Sequence, residues 1–215
     1  LWLFAPNRDT LGGSSWFLQH PQGNGLVDVP ALAPENLSFL EQQGGIRWIF
    51  LTHRTNFGKA QTFQEHFGCA LIVQEQEAYL LPEAKTTPFQ HEWAIAQAEP
   101  IALDLTALWT PGHTPGSSCL YWNQHGGVLF TGRHLLPTQQ AELEPLRNSK
   151  TFHWPRQLRS VQALADRFGP ESLAYACPGA SLGLLRGALM ADTAGEKVQR
   201  CARRLAEMAQ QVAGL

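Results

Sequence analysis

Between residues 110 and 117 the chain reads Thr-Pro-Gly-His-Thr-Pro-Gly-Ser. Two Pro-Gly pairs around one histidine force tight turns, because proline fixes φ and glycine accepts the left-handed region. The flanking segments, Ile101–Trp109 and Ser117–Trp122, are apolar and aromatic enough to read as strands. His113 is therefore expected to be held between two strands by tight turns, either as a functional group or simply hydrogen-bonded in place where the fold needs those turns.

The rest of the chain fits layers of sheet and helix around that loop. Apolar stretches at Leu1–Phe4, Ser14–Gln19 and Leu26–Val29 are separated by Gly12-Gly13 and Gly23-Asn24-Gly25, which mark turns between strands. Pro34–Gln43 reads as a helix stopped by Gly44-Gly45, and Ile46–Leu51 as a buried strand. Asn56–Phe67 is helical with Gly68 at its end, Ala70–Val73 is a strand, and Glu75–Tyr79 is a short helical stretch. Strand, helix, strand, helix in that order implies parallel strands joined by crossover helices. Residues 82–100, rich in Pro and Gln, read as a loop, and Thr138–Trp154 as an irregular insertion. Val128–Thr131 and Leu173–Cys177 are further strands. Pro155–Phe168 and Thr193–Val212 carry apolar stripes at helical spacing; in the second the stripe is Val198, Cys201, Leu205, Met208 and Val212. With no repeat and no linker, one domain over 1–215 is expected.

Composition excludes several classes. A net charge of −2 with 44% hydrophobic residues is incompatible with disorder and gives no bulk attraction to nucleic acid or anionic membrane. No apolar run approaches the ~18 residues of a membrane span. Cys69, Cys119, Cys177 and Cys201 form no Cys-x-x-Cys pair, so they read as small buried hydrophobes in a reducing, cytoplasmic compartment. Leu rather than Met stands at position 1, so a preceding segment is expected. No nucleophile elbow, dinucleotide loop or phosphate loop is present. Eight histidines raise the possibility of a metal site.

The octet around His113 resembles the third motif of the metallo-β-lactamase fold superfamily, in which that histidine is a metal ligand. Leu26-Val27-Asp28 resembles the strand ending in the family's first aspartate. Ile49-Phe50-Leu51-Thr52-His53 resembles the strand leading into the Thr-His-x-His-x-Asp-His cluster, Leu129-Phe130-Thr131-Gly132 the strand before its bridging aspartate, and Cys177-Pro178-Gly179-Ala180 its Pro-Gly-His. The resemblance implies an α/β fold, a four-layer αββα sandwich, and in the family a pair of zinc or iron ions. Residue by residue, only His53 and His113 match ligands. Thr55, Phe57 and Gly58 take the places of the remaining His, Asp and His of the cluster, and a two-residue shift puts Lys59 and Ala60 there instead. Arg133 replaces the bridging aspartate and Ala180 the last histidine.

Two imidazoles fall short of the three protein ligands that a catalytic zinc needs. A guanidinium about 4 Å from a divalent ion repels it by roughly 8 kcal/mol at an effective dielectric of about 20. An ordinary two-metal centre is therefore not expected; cofactors are none or a single zinc or iron, with His134 or Cys177 as possible additional ligands. Both read more simply as packing residues. Asp28 is the expected partner of Arg133. Alternatively Arg133, with Lys59 or Arg54 and the two histidines, offers donors to a carboxylate or phosphate in an anion-binding cleft. The leading expectation is a lactamase-fold protein without catalysis, used for binding a small anion or for assembly with a protein partner. Second is a hydrolase of ester, thioester, lactam or phosphoester bonds working with one metal. Third is a structural subunit, for which the family's frequent dimers imply a homodimer.

Overall fold

A computed structural model describes residues 1–94 and 104–213. Six strands form one sheet in sequence order: β1 (Trp2–Asn7), β2 (Gly13–Leu18), β3 (Gly25–Val27), β4 (Trp48–Phe50), β5 (Ala70–Gln74) and β6 (Thr86–Phe89). β1–β2–β3 pair antiparallel, and β3–β4–β5–β6 pair parallel. The crossovers between β3, β4 and β5 carry helices α1 (Pro34–Gln42) and α2 (Ala60–Phe67), and the short α3 (Glu75–Ala78) follows β5. The second sheet has β7 (Glu92–Ala94), β8 (Leu105–Trp109), β9 (Ser118–Trp122), β10 (Val128–Gly132) and β13 (Tyr175–Pro178) in the order β13-β10-β9-β8-β7. Between β10 and β13 run a small ribbon, β11 (Leu136–Pro137) with β12 (Leu143–Glu144), and helix α4 (Trp154–Arg167). Helix α5 (Ala194–Ala213) comes last.

The alternation of side chains along each strand stacks these elements into four layers. Trp48 and Phe50 of β4, Ile72 of β5, Leu120 of β9 and Phe130 of β10 meet between the two sheets. Their neighbours Ile49, Leu71 and Val73 face outwards against Leu40 of α1 and Phe63 of α2. On the far side, Cys119 and Leu129 pack against Val161 and Leu164 of α4 and Val198 and Cys201 of α5. The order is helix, sheet, sheet, helix, the expected αββα sandwich. All four cysteines are free and buried, as hydrophobes would be.

Some local expectations are corrected. The helix expected over Asn56–Phe67 is a single 3-10 turn at Arg54–Asn56 followed by α2, because Gly58 at φ +47° interrupts it. The loop expected from residue 82 contains β6 and β7, each at a sheet edge; Pro88 is tolerated there because an edge strand need not donate on its open side. Positions 95–100 of that loop and 101–103 of the next expected strand lie outside the described residues. The expected insertion carries β12. In α5 the buried face ends at Ala202, and Met208 is 55% exposed rather than on the core stripe. The side chain of Val212 lies outside the described residues.

One end of the sandwich gathers the motif segments. Asp28 follows β3, Thr52 and His53 follow β4, the Thr110–Ser117 loop joins β8 to β9, Arg133 follows β10, and Gly179-Ala180 follow β13. Trp16 Nε1 donates to the Pro178 carbonyl across the sheets at 3.1 Å, and Gly179 N–H donates to the Gly132 carbonyl at 2.8 Å. Gly132 sits at φ +52°, where a Cβ would strike Thr52 Oγ1, so no other residue fits beside the site.

Candidate functional site, a cationic cleft at the strand ends

Asp28 is buried, with left-handed backbone at φ +58°, a conformation Asp tolerates better than most residues. Its Oδ1 accepts from the Thr52 N–H (2.8 Å) and is within reach of Thr52 Oγ1 (3.0 Å). Its Oδ2 accepts from Thr52 Oγ1 (2.8 Å) and Asn56 Nδ2 (2.7 Å). Burial pushes the carboxyl up to about 6, against the pull of the Thr52 and Asn56 hydrogen bonds and of Arg133. At neutral pH it is ionised and both of its oxygens accept hydrogen bonds.

The same network fixes a tautomer. Thr52 Oγ1 has one proton, which goes to the acceptor-only carboxylate. His53 Nδ1, 2.8 Å from that oxygen, must then carry hydrogen and donate to it. The lone pair is left on Nε2, which is buried and meets no partner among the described residues. His113 approaches it, with ring centroids 4.9 Å apart, and its Nε2 is likewise buried and unpartnered among those residues. Burial first, then Arg133 and Arg54, pulls His113 down to about 4. His53 is held well below the usual histidine range by burial, His113, Arg133 and Arg54. Both rings are therefore neutral at pH 7.

The two histidines are held together by a residue that sequence reasoning missed. Glu77 on α3 is buried and accepts from the Arg54 N–H with Oε2 (2.7 Å) and from the Gly116 N–H with Oε1 (3.1 Å). It ties the loop after β4 to the loop between β8 and β9. Nothing in Gln-Glu-Gln-Glu-Ala distinguishes Glu77 from Glu75, so no sequence signal marks it. Gly112, at φ +144°, lies so close to the backbone of Gln157 that a Cβ would overlap it, which locks the other end of the loop onto α4.

Arg133 is half-buried. Its Nη2 donates to the carbonyls of Thr10 (3.1 Å) and Leu11 (2.7 Å) in the β1–β2 hairpin, and its buried Nε has no partner among the described residues. The expected Arg133–Asp28 pairing does not form a hydrogen bond: the carboxylate accepts from Thr52 and Asn56, Arg133 Nη2 turns to the hairpin carbonyls, and the two charges act on each other only through space. Arg54, His113 and Arg133 line one cavity of about 440 Å³, together with Thr55, Thr114 and Lys150. Lys59 is exposed at the start of α2 and does not line it; Lys150, from the irregular segment before α4, is the lysine that does. His53 lies behind this wall with its donor turned to Thr52, so it offers an anion no hydrogen. Phe57, at a position where the resemblance puts an aspartate, packs into the helix-side core.

These donors do not fit a two-metal centre. Asp28 is buried and already accepts from Thr52 and Asn56, and Cys177 packs in the core between the sheets. His134 is fully buried with both ring nitrogens unpartnered among the described residues, and burial with His113 nearby pulls it down to about 3. Among the described residues no three His, Cys, Asp or Glu side chains converge to hold an ion.

No family model and no curated protein sequence matches the chain. Solved structures do. TTHA1623 in a di-iron-bound form superposes with a TM-score of 0.65 at 18% identity, covering 87% of this chain and 98% of that one. The DIM-1 metallo-β-lactamase gives 0.66 at 15% identity, covering 90% and 87%. The metallo-β-lactamase family protein TTHA1429 from Thermus thermophilus gives 0.58 at 21% identity, covering 93% and 75%. At these identities the likeness concerns architecture, and it agrees with the strand order, the layers and the gathering of motif loops at one end. The chain has the metallo-β-lactamase fold.

Proposed function

We propose that this protein binds a small anion in the strand-end cleft and serves a binding or assembly role rather than two-metal hydrolysis. One observation carries the reading: Arg54, Arg133 and Lys150 line the same cavity, and among the described residues its walls contain no acidic side chain. Guanidinium and ammonium groups that line one recess form charge-assisted hydrogen bonds to carboxylate or phosphate oxygens. Titration calorimetry at low ionic strength with phosphate, citrate and a nucleotide tests the proposal. At least one is expected to bind, with affinity falling at least about tenfold in an Arg54→Ala/Lys150→Ala variant, the equivalent of about 1.4 kcal/mol. No binding by the unmodified chain sinks the idea.

The unpartnered Nε2 atoms of His53 and His113 favour a second reading, a hydrolase of ester, thioester, lactam or phosphoester bonds with a single metal. Two imidazoles beside Arg133 are a poor donor set for it. Metal analysis of protein purified without chelators separates the readings: one equivalent of zinc or iron, lost in His113→Ala, would overturn the metal-free one.

A further inference from the structure

Between Asp104 and Asp166 the sequence carries only two acidic residues, Glu142 and Glu144, against Arg133, Arg147, Lys150, Arg156 and Arg159. Both acids turn to the helix side, where they pair with Arg200 and Arg204 of α5. The basic segment before α4 is mounted on the His113 loop: the N–H groups of Phe152 and His153 donate to the carbonyls of His113 (3.1 Å) and Gly112 (3.0 Å). Lys150 thereby reaches the cavity that Arg54 and Arg133 also line. Arg156 lies over the ring of Trp109 at 5.5 Å, and Trp109 Nε1 donates to the Pro115 carbonyl of the same loop at 2.8 Å. Arg147 lies over the ring of Trp154 at 5.9 Å. An aromatic face orients a guanidinium without neutralising it. Arg54, Arg133, Arg147, Lys150 and Arg156 make no ion pair among the described residues, whereas Arg167, Lys197, Arg200 and Arg204 all do.

We infer that the anion of this cleft is a carboxylate carried by an acidic segment of a protein partner, whose further carboxylates meet Arg147 and Arg156. The inference rests on the anion-binding reading and names the class of partner for it. Charge complementarity chooses that class. Five uncompensated cations exceed what one small anion satisfies, and two of them stand outside the cavity, along the segment that leads to α4. The rest of the chain does not suit a long polyanion, because the other 11 Lys and Arg are outnumbered by 18 Asp and Glu. A nucleic acid that runs past the cationic face meets that repulsion, while a short acidic segment touches the cationic face alone. Phe152, 49% exposed, stands in sequence between Lys150 and Arg156. Exposed aromatic rings set among arginines are the composition that protein partners bind.

Fluorescence anisotropy on the full chain at low ionic strength compares three labelled probes of equal length. They are a peptide that alternates Glu with Ser around one Phe, the same peptide with Gln in place of Glu, and an oligodeoxythymidylate. Titration calorimetry with inorganic phosphate and with acetate runs in parallel on each variant. The acidic peptide is expected to bind, more weakly as salt is added, and the Gln peptide to bind at least about tenfold less tightly. Arg147→Gln/Arg156→Gln should weaken the acidic peptide about fivefold, as the loss of two exposed ion pairs does, and leave phosphate affinity within about twofold. Arg147→Glu, at an exposed position that tolerates a reversed charge, serves as the second variant and should weaken the peptide by a similar factor. If phosphate or acetate binds and both variants hold the acidic peptide as tightly as the unmodified chain, the acidic segment is refuted while the anion site stands. Tighter binding of the oligodeoxythymidylate than of the acidic peptide also refutes it, and gives the surface to nucleic acid. If neither the small anions nor the acidic peptide binds, the anion reading fails as well.

Discussion

Asp28 and Arg133 are opposite charges at the same end of the sandwich, and the fold treats them differently. Asp28 is sealed: one main-chain N–H, one hydroxyl and one amide surround its oxygens, so neutral dipoles from the segment after β4 stabilise its charge. Arg133 is only partly accommodated, with one terminal nitrogen held by two carbonyls of the β1–β2 hairpin and Nε unpartnered among the described residues. A charge whose hydrogen-bonding capacity is consumed internally is architecture. A charge left half-satisfied at the edge of a cavity remains available to something else.

The contrast can be broken from the Asp28 side with the largest effect. Asp28→Ala strands Thr52 N–H, Thr52 Oγ1 and Asn56 Nδ2 in the interior, and the expected loss is on the order of 4 kcal/mol in urea denaturation. Acid tests the neutral rings beside it. His53, His113 and His134 are held below their unfolded value of 6.5, so the unfolded chain takes up protons first and stability falls as pH drops below that value. Asp28 works in the opposite direction from about 6 down to its unfolded 3.8, since the folded chain protonates it earlier. Near pH 5 the difference is about two protons, a slope of about 3 kcal/mol per pH unit, and His134→Leu should remove roughly half of it. A flat profile between pH 6 and 5 contradicts the neutral assignment.

Glu77→Gln asks whether a carboxylate sealed by main-chain N–H groups alone behaves like Asp28. One of its two acceptors becomes a donor facing a donor, and a loss of about 2 kcal/mol is expected in the same assay. The smallest stability effect belongs to Arg133→Met, about 1 kcal/mol, because the side chain is half-exposed and solvent screens it. Its informative readout is spectroscopic. Removing that positive charge should raise the His113 titration from about 4, followed by NMR of the ring protons. An unmoved His113 shows that Arg133 does not act on it.

Much of this was legible in the sequence. The apolar runs of β4 and β10, the glycine stops after α1 and α2, and the Thr-Pro-Gly-His-Thr-Pro-Gly-Ser loop have local causes, and each lies where expected. β6 and β7 were missed because short edge strands are exposed on one side and need no periodic apolar pattern. The encounter of His53 with His113 followed from motif order alone. The partners of Arg133 did not, because Thr10 and Leu11 contribute carbonyls, which every residue type possesses and no side chain advertises. Lys150 and Glu77 were hidden for a related reason. Their relevance comes from tertiary approach, across 39 positions for Glu77 and Gly116, and nothing in their immediate neighbours records it.

The indole of Trp16 reaches the carbonyl of Pro178 across 162 positions of sequence. That bond ties the first sheet to the second beside the strand ends that carry the cleft. Contacts of such separation slow folding, since loop entropy is lost before they compensate for it. A chain still emerging from synthesis can pair β1 to β6 but lacks the second wall of the cleft until His113 and Arg133 arrive. A molecule bound in the cleft would therefore join the two halves of the chain, and would retard their separation in unfolding as much as it reports their arrival.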